Sequence, residues 1–179
     1  MKIPEKIDTR RLILRPIKHK DFQDFFNFIH HIDSNKFLNF IPECKTYEAI
    51  EALINSVIES YKTAHPILIF SIIEKKSDLF LGFSGLIPHH NELKCIYGLL
   101  PQYWDNGYMI ETLKKLFEYG FSIWNLTRIV AYVPNRNTRA WKVAERAGMK
   151  YLGDIQYKKT KRAMYFTIDR TEFYKQTLY

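Results

Sequence analysis

The stretch Leu99 to Thr112, LLPQYWDNGYMIET, carries a strand-like run, a proline-marked turn, one glycine and the start of a helix with an apolar stripe. The first turn of a helix leaves backbone N–H groups without partners, and the helix dipole favours negative charge there. The chemistry on offer is capture of an anion such as a pyrophosphate, without any cationic side chain. Gly107 at the turn permits close approach of such a ligand to the main chain. A lone glycine before a helix mostly binds nothing, so this turn needs support from elsewhere in the chain.

That support is a second segment, Asn137 to Met149, reading N-T-x-x-x-x-x-x-E-x-x-G-M after the first segment's LLP-x-YW-x-x-GYM-x-E. Together they resemble the GNAT acetyltransferase superfamily, in its RimJ/RimL-type branch of ribosomal-protein N-terminal acetyltransferases. The likeness runs from Thr9-Arg10-Arg11-Leu12-Ile13-Leu14-Arg15-Pro16 to Met164-Tyr165-Phe166-Thr167. It implies an α/β (α+β) fold: a central, mostly antiparallel mixed sheet of six to seven strands, helices on both faces, and one parallel strand pair splayed apart around the cofactor. The implied activity is N-acetyl transfer from acetyl-CoA (coenzyme A) to a primary amine, a protein N-terminus or a small molecule, by direct attack in a ternary complex. No Cys stands near the cofactor loop to act as a nucleophile.

The resemblance also implies roles for individual residues. A loop of the form Q/R-x-x-G-x-G/A cradles the cofactor pyrophosphate in this family, and Trp104, Asp105, Asn106, Gly107, Tyr108 and Met109 occupy its positions. Trp104 replaces the usual Gln or Arg, and Met109 replaces a small residue, which would crowd the phosphates or widen the turn. The strand ending Gly98-Leu99-Leu100 would part from Ile129–Val133, with main-chain groups of Leu99 and Leu100 holding the pantetheine arm like an added strand. Asn137 matches the Asn of the N-x-x-S element, where its amide would bond and position the pantetheine, and the residue type equally suits a helix N-cap. Lys142, a little over one helical turn on, would meet a phosphate.

Two family positions depart from the pattern. Ala140 stands where the N-x-x-S serine would partner the departing thiolate, and Lys94 stands where many relatives carry a Glu base. The base is therefore left open: Glu92 on Lys94's strand face and His90 in the adjoining turn are distant alternatives, and water is another. These departures also keep open a catalytically silent acyl-CoA-binding or sensing protein. The implied acceptor pocket comprises Asn35–Lys45 and Gln156–Arg162, where Lys158, Lys159, Lys161 and Arg162 favour an acidic or phosphorylated acceptor over a polyamine, and Glu43 alone offers a polycation little. Phe37, Phe40, Trp141 and Tyr157 are candidate walls.

The elements that must position these residues follow from periodicity. Arg11–Ile17 mixes apolar and charged residues as a half-buried strand, closed by Pro16. Asp21 opens a helix in which Phe22, Phe25, Phe26 and Ile29 share a face. After the loop 35–45, Thr46–Thr63 forms a second helix on Ile50, Leu53, Ile54, Val57 and Ile58. Ile67–Ile73, Leu79–Ile87 and Leu93–Leu100 predict an antiparallel meander, since the connections EKKSD and PHHNE are polar. Gly107–Trp124 is helical and Thr127–Val133 a β-branched strand, a crossover that favours parallel pairing. Asn137–Ala147 is a further helix stopped by Gly148, before late strands near Tyr151–Tyr157 and Ala163–Ile168.

Composition bounds the class. Apolar residues make up 46% and aromatics 16% of 179 residues, as in a globular chain, and one domain over 1–179 is expected. The longest apolar runs are too short to span a bilayer of about 30 Å, and Met1–Arg15 lacks an apolar export signal, so no membrane partner and a cytoplasmic location are expected. Cys44 and Cys95 are isolated and read as packing thiols, with no metal site expected. Of a net charge of +8, the segment Pro134–Arg170 holds most, with ten Lys or Arg against three Asp or Glu, which suits a polyanionic ligand. Nucleic acid is not the expected partner, since no nucleic-acid motif accompanies that charge. A monomer or homodimer is expected.

Overall fold

Alternation along the strands sorts the core into two layers. Leu12 and Leu14, Leu68, Phe70 and Ile72, and Ile129 and Ala131 point to one side of the sheet, while Ile13, Ile69 and Ile73 point to the other. The computed structural model describes residues 3–37, 46–90, 92–158 and 161–177. Within them the strands are β1 (Ile7–Asp8), β2 (Leu12–Pro16), β3 (Leu68–Glu74), β4 (Phe80–His89), β5 (Glu92–Leu99), β6 (Arg128–Val133), β7 (Lys150–Lys158) and β8 (Lys161–Asp169). The helices are α1 (Phe22–His30), α2 (Ile32–Asn35), α3 (Tyr47–Ser60), α4 (Tyr108–Ser122), α5 (Thr138–Arg146) and α6 (Arg170–Thr177).

One mixed sheet results, in the order β1-β2-β3-β4-β5-β6-β8-β7. Every neighbouring pair is antiparallel except β5 and β6, which run parallel. The α4 crossover between them dictates this, since a helix must carry the chain back to the starting edge. Among the described residues the parallel register holds only at Leu93–Ile129 and Lys94–Val130. Beyond Lys94, β5 keeps β4 as its partner as far as Leu99, and β6 keeps β8 as far as Val133. The sheet therefore opens between β5 and β6, as expected of the fold class.

Helices α4, α5 and α6 cover one face. Leu113, Leu116, Phe117 and Phe121 of α4 recur at helical spacing and are buried with Leu14, Phe70, Ile129 and Phe166. Helices α1 and α3 cover the other face, through Phe25, Phe28, Ile29, Ile50, Ile54 and Val57 against Ile69, Ile73 and Phe83. Thr46 caps α3 by accepting the N–H of Ala49 at 3.3 Å, and Gly148 follows α5 with a φ of 100°.

The structure departs from the sequence reading at short elements. Eight strands replace the six to seven expected, because Ile7–Asp8 pairs with Ile13 and Leu14 over too few residues to show a period. Helix α2 lies between the expected first helix and the segment read as a loop, and shares only Asn35 with that segment. Helix α6 was not expected, because its polar residues leave Phe173 as its one buried apolar anchor. Phe28, outside the expected stripe of α1, is fully buried, while Phe22 and Phe26 are only partly so. The expected loop residues 38–45, with Phe40, Glu43 and Cys44, and Lys159 of the late turn lie outside the described residues, as do the side chains of Tyr157, Lys158 and Lys161. Among the described residues, no helix is long and apolar enough to cross a membrane, and no three His, Cys, Asp or Glu side chains gather to hold a metal ion.

Candidate active site

The end of β5, the loop that follows it and the first turns of α4 and α5 converge on a cleft of about 760 Å³. Leu99, Trp104, Gly107, Tyr108, Met109, Asn137 and Lys142 all line it, joined by Tyr97, Tyr103, Arg136, Arg139 and Arg146, and by Lys36 and Phe37 after α2. Leu100 and Asn106 do not line it.

Strand parity decides which main-chain groups face the opening. The N–H of Leu100 donates to the Leu81 carbonyl at 2.9 Å, so even-numbered residues of β5 turn their backbone polar groups toward β4. Odd-numbered ones, Tyr97 and Leu99 among them, turn theirs toward the gap with β6. The carbonyl of Leu100 accepts from Tyr103 N–H at 3.0 Å, so both polar groups of its main chain are engaged away from the opening. The carbonyl of Leu99 accepts the indole N–H of Trp104 at 2.8 Å. Within the pair, the Leu99 N–H is the group that parity directs into the cleft.

The loop from Trp104 to Gly107 is a tight reversal. Asp105 and Gly107 both have positive φ, 59° and 74°, and Gly107 is the N-cap of α4. Among the described residues no side chain caps this helix, so its first N–H groups keep the anion-binding character described above. Asn106 looks inward to the loop: its side-chain amide donates to the Trp104 carbonyl at 2.8 Å, and its own carbonyl accepts from Arg11 Nη1 at 3.0 Å. Met109 is 5% exposed and packs in the α4 core while also lining the cleft.

Arg11 and Glu111 belong to the motifs that carry the resemblance, but the sequence assigns them no role. Glu111 accepts from Thr9 Oγ1 at 2.6 Å and from the Arg11 N–H and Nε, each at 2.7 Å. Burial alone raises the pKa of its carboxyl, but these bonds outweigh burial and hold it below the usual glutamate value. The Arg11 guanidinium also lies over the Tyr108 ring, 4.3 Å from its centroid, and the Tyr108 hydroxyl donates to Glu74 at 2.6 Å. Arg11 thus ties the start of β2 to the loop and to the first turn of α4.

On the opposite lip, Asn137 caps α5, its Oδ1 accepting the Ala140 N–H at 3.1 Å. That bond uses the amide oxygen and leaves the NH₂ group at the cleft wall. Arg139 stacks on Trp104, 4.5 Å from the ring centroid, and approaches Asp105 at 3.8 Å. Lys142 is exposed, with its ammonium 5.8 Å from the Trp141 ring. The Tyr97 hydroxyl crosses from β5 to α5 and donates to the Ala140 carbonyl at 2.8 Å. The rim cations Arg136, Arg139 and Arg146 were legible only as charge density in the sequence, and Tyr97 carried no signal beyond its place in a strand.

The β4–β5 turn and the paired start of β5 hold a second polar cluster. Lys94 and Glu92 alternate with buried Cys95 and so share the α1/α3 face of β5. The His89 ring meets Tyr132 edge-on at 4.9 Å and His90 at 4.5 Å. Burial first, then the charges of Lys94 and His90, push the His89 pKa below its ordinary value. His90 itself sits in the turn with a φ of 52°.

The cleft has the parts that a nucleotide thioester requires: uncapped amides for a diphosphate, a strand N–H turned toward the opening for amide groups, and a cationic rim. The family comparison agrees with that fit. The acetyltransferase (GNAT) domain matches residues 11–150. The chain is 28% identical over 152 residues to the uncharacterized N-acetyltransferase YnaD of Bacillus subtilis (strain 168), covering 82% of this chain and 84% of that protein. Its fold is similar to that of the ribosomal-protein-S5-alanine acetyltransferase from Vibrio fischeri, with TM-score 0.77 at 18% identity over 94% of this chain and 98% of that one. It is also similar to that of spermidine N-acetyltransferase from Vibrio cholerae in complex with CoA and spermine, with TM-score 0.77 at 17% identity over 92% and 98%. With its splayed sheet, its helix-capped cleft and the domain matched from Arg11 to Lys150, this chain belongs to the GNAT family of acetyltransferases.

Proposed function

We propose that this protein binds acetyl-CoA in the β5–β6 opening and transfers the acetyl group to a primary amine by direct attack in a ternary complex. The observation that carries this reading is the uncapped α4 N-terminus beside a strand pair that loses its register after Lys94. The cofactor supplies an acyl thioester. The first-turn amides of Tyr108 and Met109 hold the diphosphate, the Leu99 N–H and the Asn137 amide meet the pantetheine, and Lys142 meets a phosphate.

The acceptor class that the site favours is a protein N-terminus. Lys36, Arg136, Arg139, Lys142 and Arg146 outnumber Asp33 and Asp105 around the cleft, which disfavours approach of a polycation. A peptide α-amine is deprotonated in appreciable fraction near neutral pH, since its pKa is about 8, so attack needs little help from a base. This suits a site with Lys94 and Ala140 in place of the family's Glu and Ser.

The test is calorimetry with CoA, followed by thiol release from acetyl-CoA against peptides of varied first residue, spermine and an aminoglycoside. Uptake of CoA with peptide-dependent thiol release supports the reading. Uptake with no release above the acceptor-free rate assigns a silent acyl-CoA-binding role. No uptake removes both.

A further inference from the structure

We infer that Lys36 is an acetylation site of this protein, modified by the acetyl-CoA held in its own cleft. The inference rests on the acetyl-CoA reading above and adds an internal acceptor to it.

The cleft is not confined to the α4/α5 face of the sheet. Asp33, Ser34, Lys36 and Phe37 line it together with Gly98 and Leu99 of β5. These four residues follow α1, which packs on the opposite face, where a Cβ at Gly98 would stand 2.7 Å from Phe28 Cζ. The cleft therefore joins the two faces past the end of β5, with α5 as one wall and the α2 segment as the other. A pantetheine held at the Leu99 N–H runs between these walls, and its thioester is open to a nucleophile from either.

Among the described residues that line the cleft, the primary amines are Lys36 and Lys142. Lys142 stands on α5 with the arginines that face the phosphates. Lys36 stands on the α2 wall, exposed, with its Nζ 5.6 Å from the Phe37 ring centroid, and among the described residues no carboxylate pairs with it. By contrast, Lys62 and Lys115 are held by Glu59 and Glu118, each at 2.9 Å. A lysine amine on its four-carbon stem is a flexible nucleophile once it has lost a proton. Fixed at the cleft by its own chain, it has a high effective concentration against acceptors in solution.

The step balances with acetyl-CoA as the only co-reactant. The Lys36 ammonium first gives a proton to solvent. Nζ then forms its bond to the acetyl carbonyl carbon, the carbon–sulfur bond breaks, and the second proton lost from nitrogen passes through water to the thiolate. The products are an uncharged amide at Lys36 and the CoA thiol. One cation thus leaves the rim, and the attraction for a polyanion falls, so a chain left with acetyl-CoA and no acceptor limits its own cofactor binding.

The test is mass spectrometry of the full chain and of its peptides after incubation with acetyl-CoA and no acceptor, beside calorimetry with CoA and thiol release with an alanine-initiated hexapeptide. One acetyl group per chain is expected, at Lys36, at least about tenfold faster than at Lys20 and Lys114, which are exposed and outside the cleft. The rate should not change with protein concentration, and an excess of desulfo-CoA, which has no thioester, should suppress it. Lys36→Arg keeps the positive charge and should remove the label, with CoA uptake in calorimetry showing that the variant is folded. Label spread evenly over Lys20 and Lys114, label at Lys142 instead, or a rate that rises with protein concentration overturns the proposal. So does an unlabelled chain that takes up CoA and acetylates the hexapeptide, which leaves the transfer reading standing. An unlabelled chain that acetylates nothing, or takes up no CoA, overturns this inference and counts against the transfer reading as well.

Discussion

Arg11 donates from Nη1 to the main-chain carbonyl of Asn106 at 3.0 Å while its Nε holds Glu111 at 2.7 Å. One side chain therefore fixes the loop before α4 and also neutralises the only acid in the first turn of that helix. A free carboxylate there would compete with a bound anion for the helix dipole.

Arg11→Ala should therefore weaken CoA binding by about tenfold or more, beyond what the lost loop contact alone would cost. Arg11→Ala/Glu111→Gln should recover part of that loss, because the uncompensated charge is gone. Calorimetry of the three proteins checks this, and a double variant no better than Arg11→Ala would show that loop placement is the whole effect.

Two glycines near the cleft should respond unequally to the same change. At Gly107 an added Cβ meets only Arg11 Nη2 at 3.6 Å, so Gly107→Ala carries the left-handed strain alone, about 1 kcal/mol, and lowers Tm by about 3 °C. At Gly82, with a φ of 153°, the added atom would lie 2.1 Å from the Gly98 carbonyl oxygen and 2.8 Å from Leu99 Cα. Backbone on a paired strand cannot yield as a side-chain end does. Gly82→Ala should cost about 3 kcal/mol or more and disturb the cleft through Leu99. Thermal melts of both variants decide it, and equal Tm values would contradict the contrast.

What the sequence revealed and what it hid follow from range. The stripes of α3 and α4 and the β3–β4–β5 meander were legible because each repeats locally over many residues, as Ile50, Ile54 and Val57 do. The parallel β5–β6 pair followed from the crossover. Arg11 and Glu111 were hidden because they meet across a hundred residues, and no local period marks that contact. The resemblance implies one role for Leu99 and Leu100 together, yet the pleat sends their backbone groups to opposite sides. Arg139 looked like one more surface charge until α5 placed it on Trp104.

Stability in acid should depend on Asp21, which is 2% exposed. Burial raises the pKa of its carboxyl, but two bonds from Arg15, each 2.6 Å, with the Lys18 N–H and the Ser71 hydroxyl, each 2.9 Å, outweigh burial and hold it below the ordinary aspartate value. A carboxyl depressed in the folded state contributes stability that is complete above its unfolded pKa, and the contribution is lost as pH falls through the folded value. The urea midpoint should thus fall as pH drops below about 4, near the unfolded aspartate pKa. Asp21→Asn should cost about 3 kcal/mol at pH 7, because Arg15 loses its counter-charge beside β3, and the loss should shrink in acid. A variant whose deficit is the same at pH 3 and pH 7 would contradict this account.

The cationic rim makes a last, independent prediction about the polyanion. Arg136 and Arg146 are exposed and line the cleft from the two ends of α5, so they can attract phosphates without serving as struts in the core. Exposed charges act through solvent, and salt screens them over about 10 Å at 0.1 M. CoA affinity should therefore fall as sodium chloride rises. Arg136→Ala/Arg146→Ala should both weaken binding, by about tenfold at low salt, and flatten the salt dependence, with the melting temperature nearly unchanged. Dephospho-CoA, with one phosphate fewer, should show a smaller difference between the unmodified protein and the double variant. If the double variant keeps the full salt slope, the attraction lies with Lys36, Arg139 and Lys142 instead, and the contribution of the two arginines would have to be withdrawn.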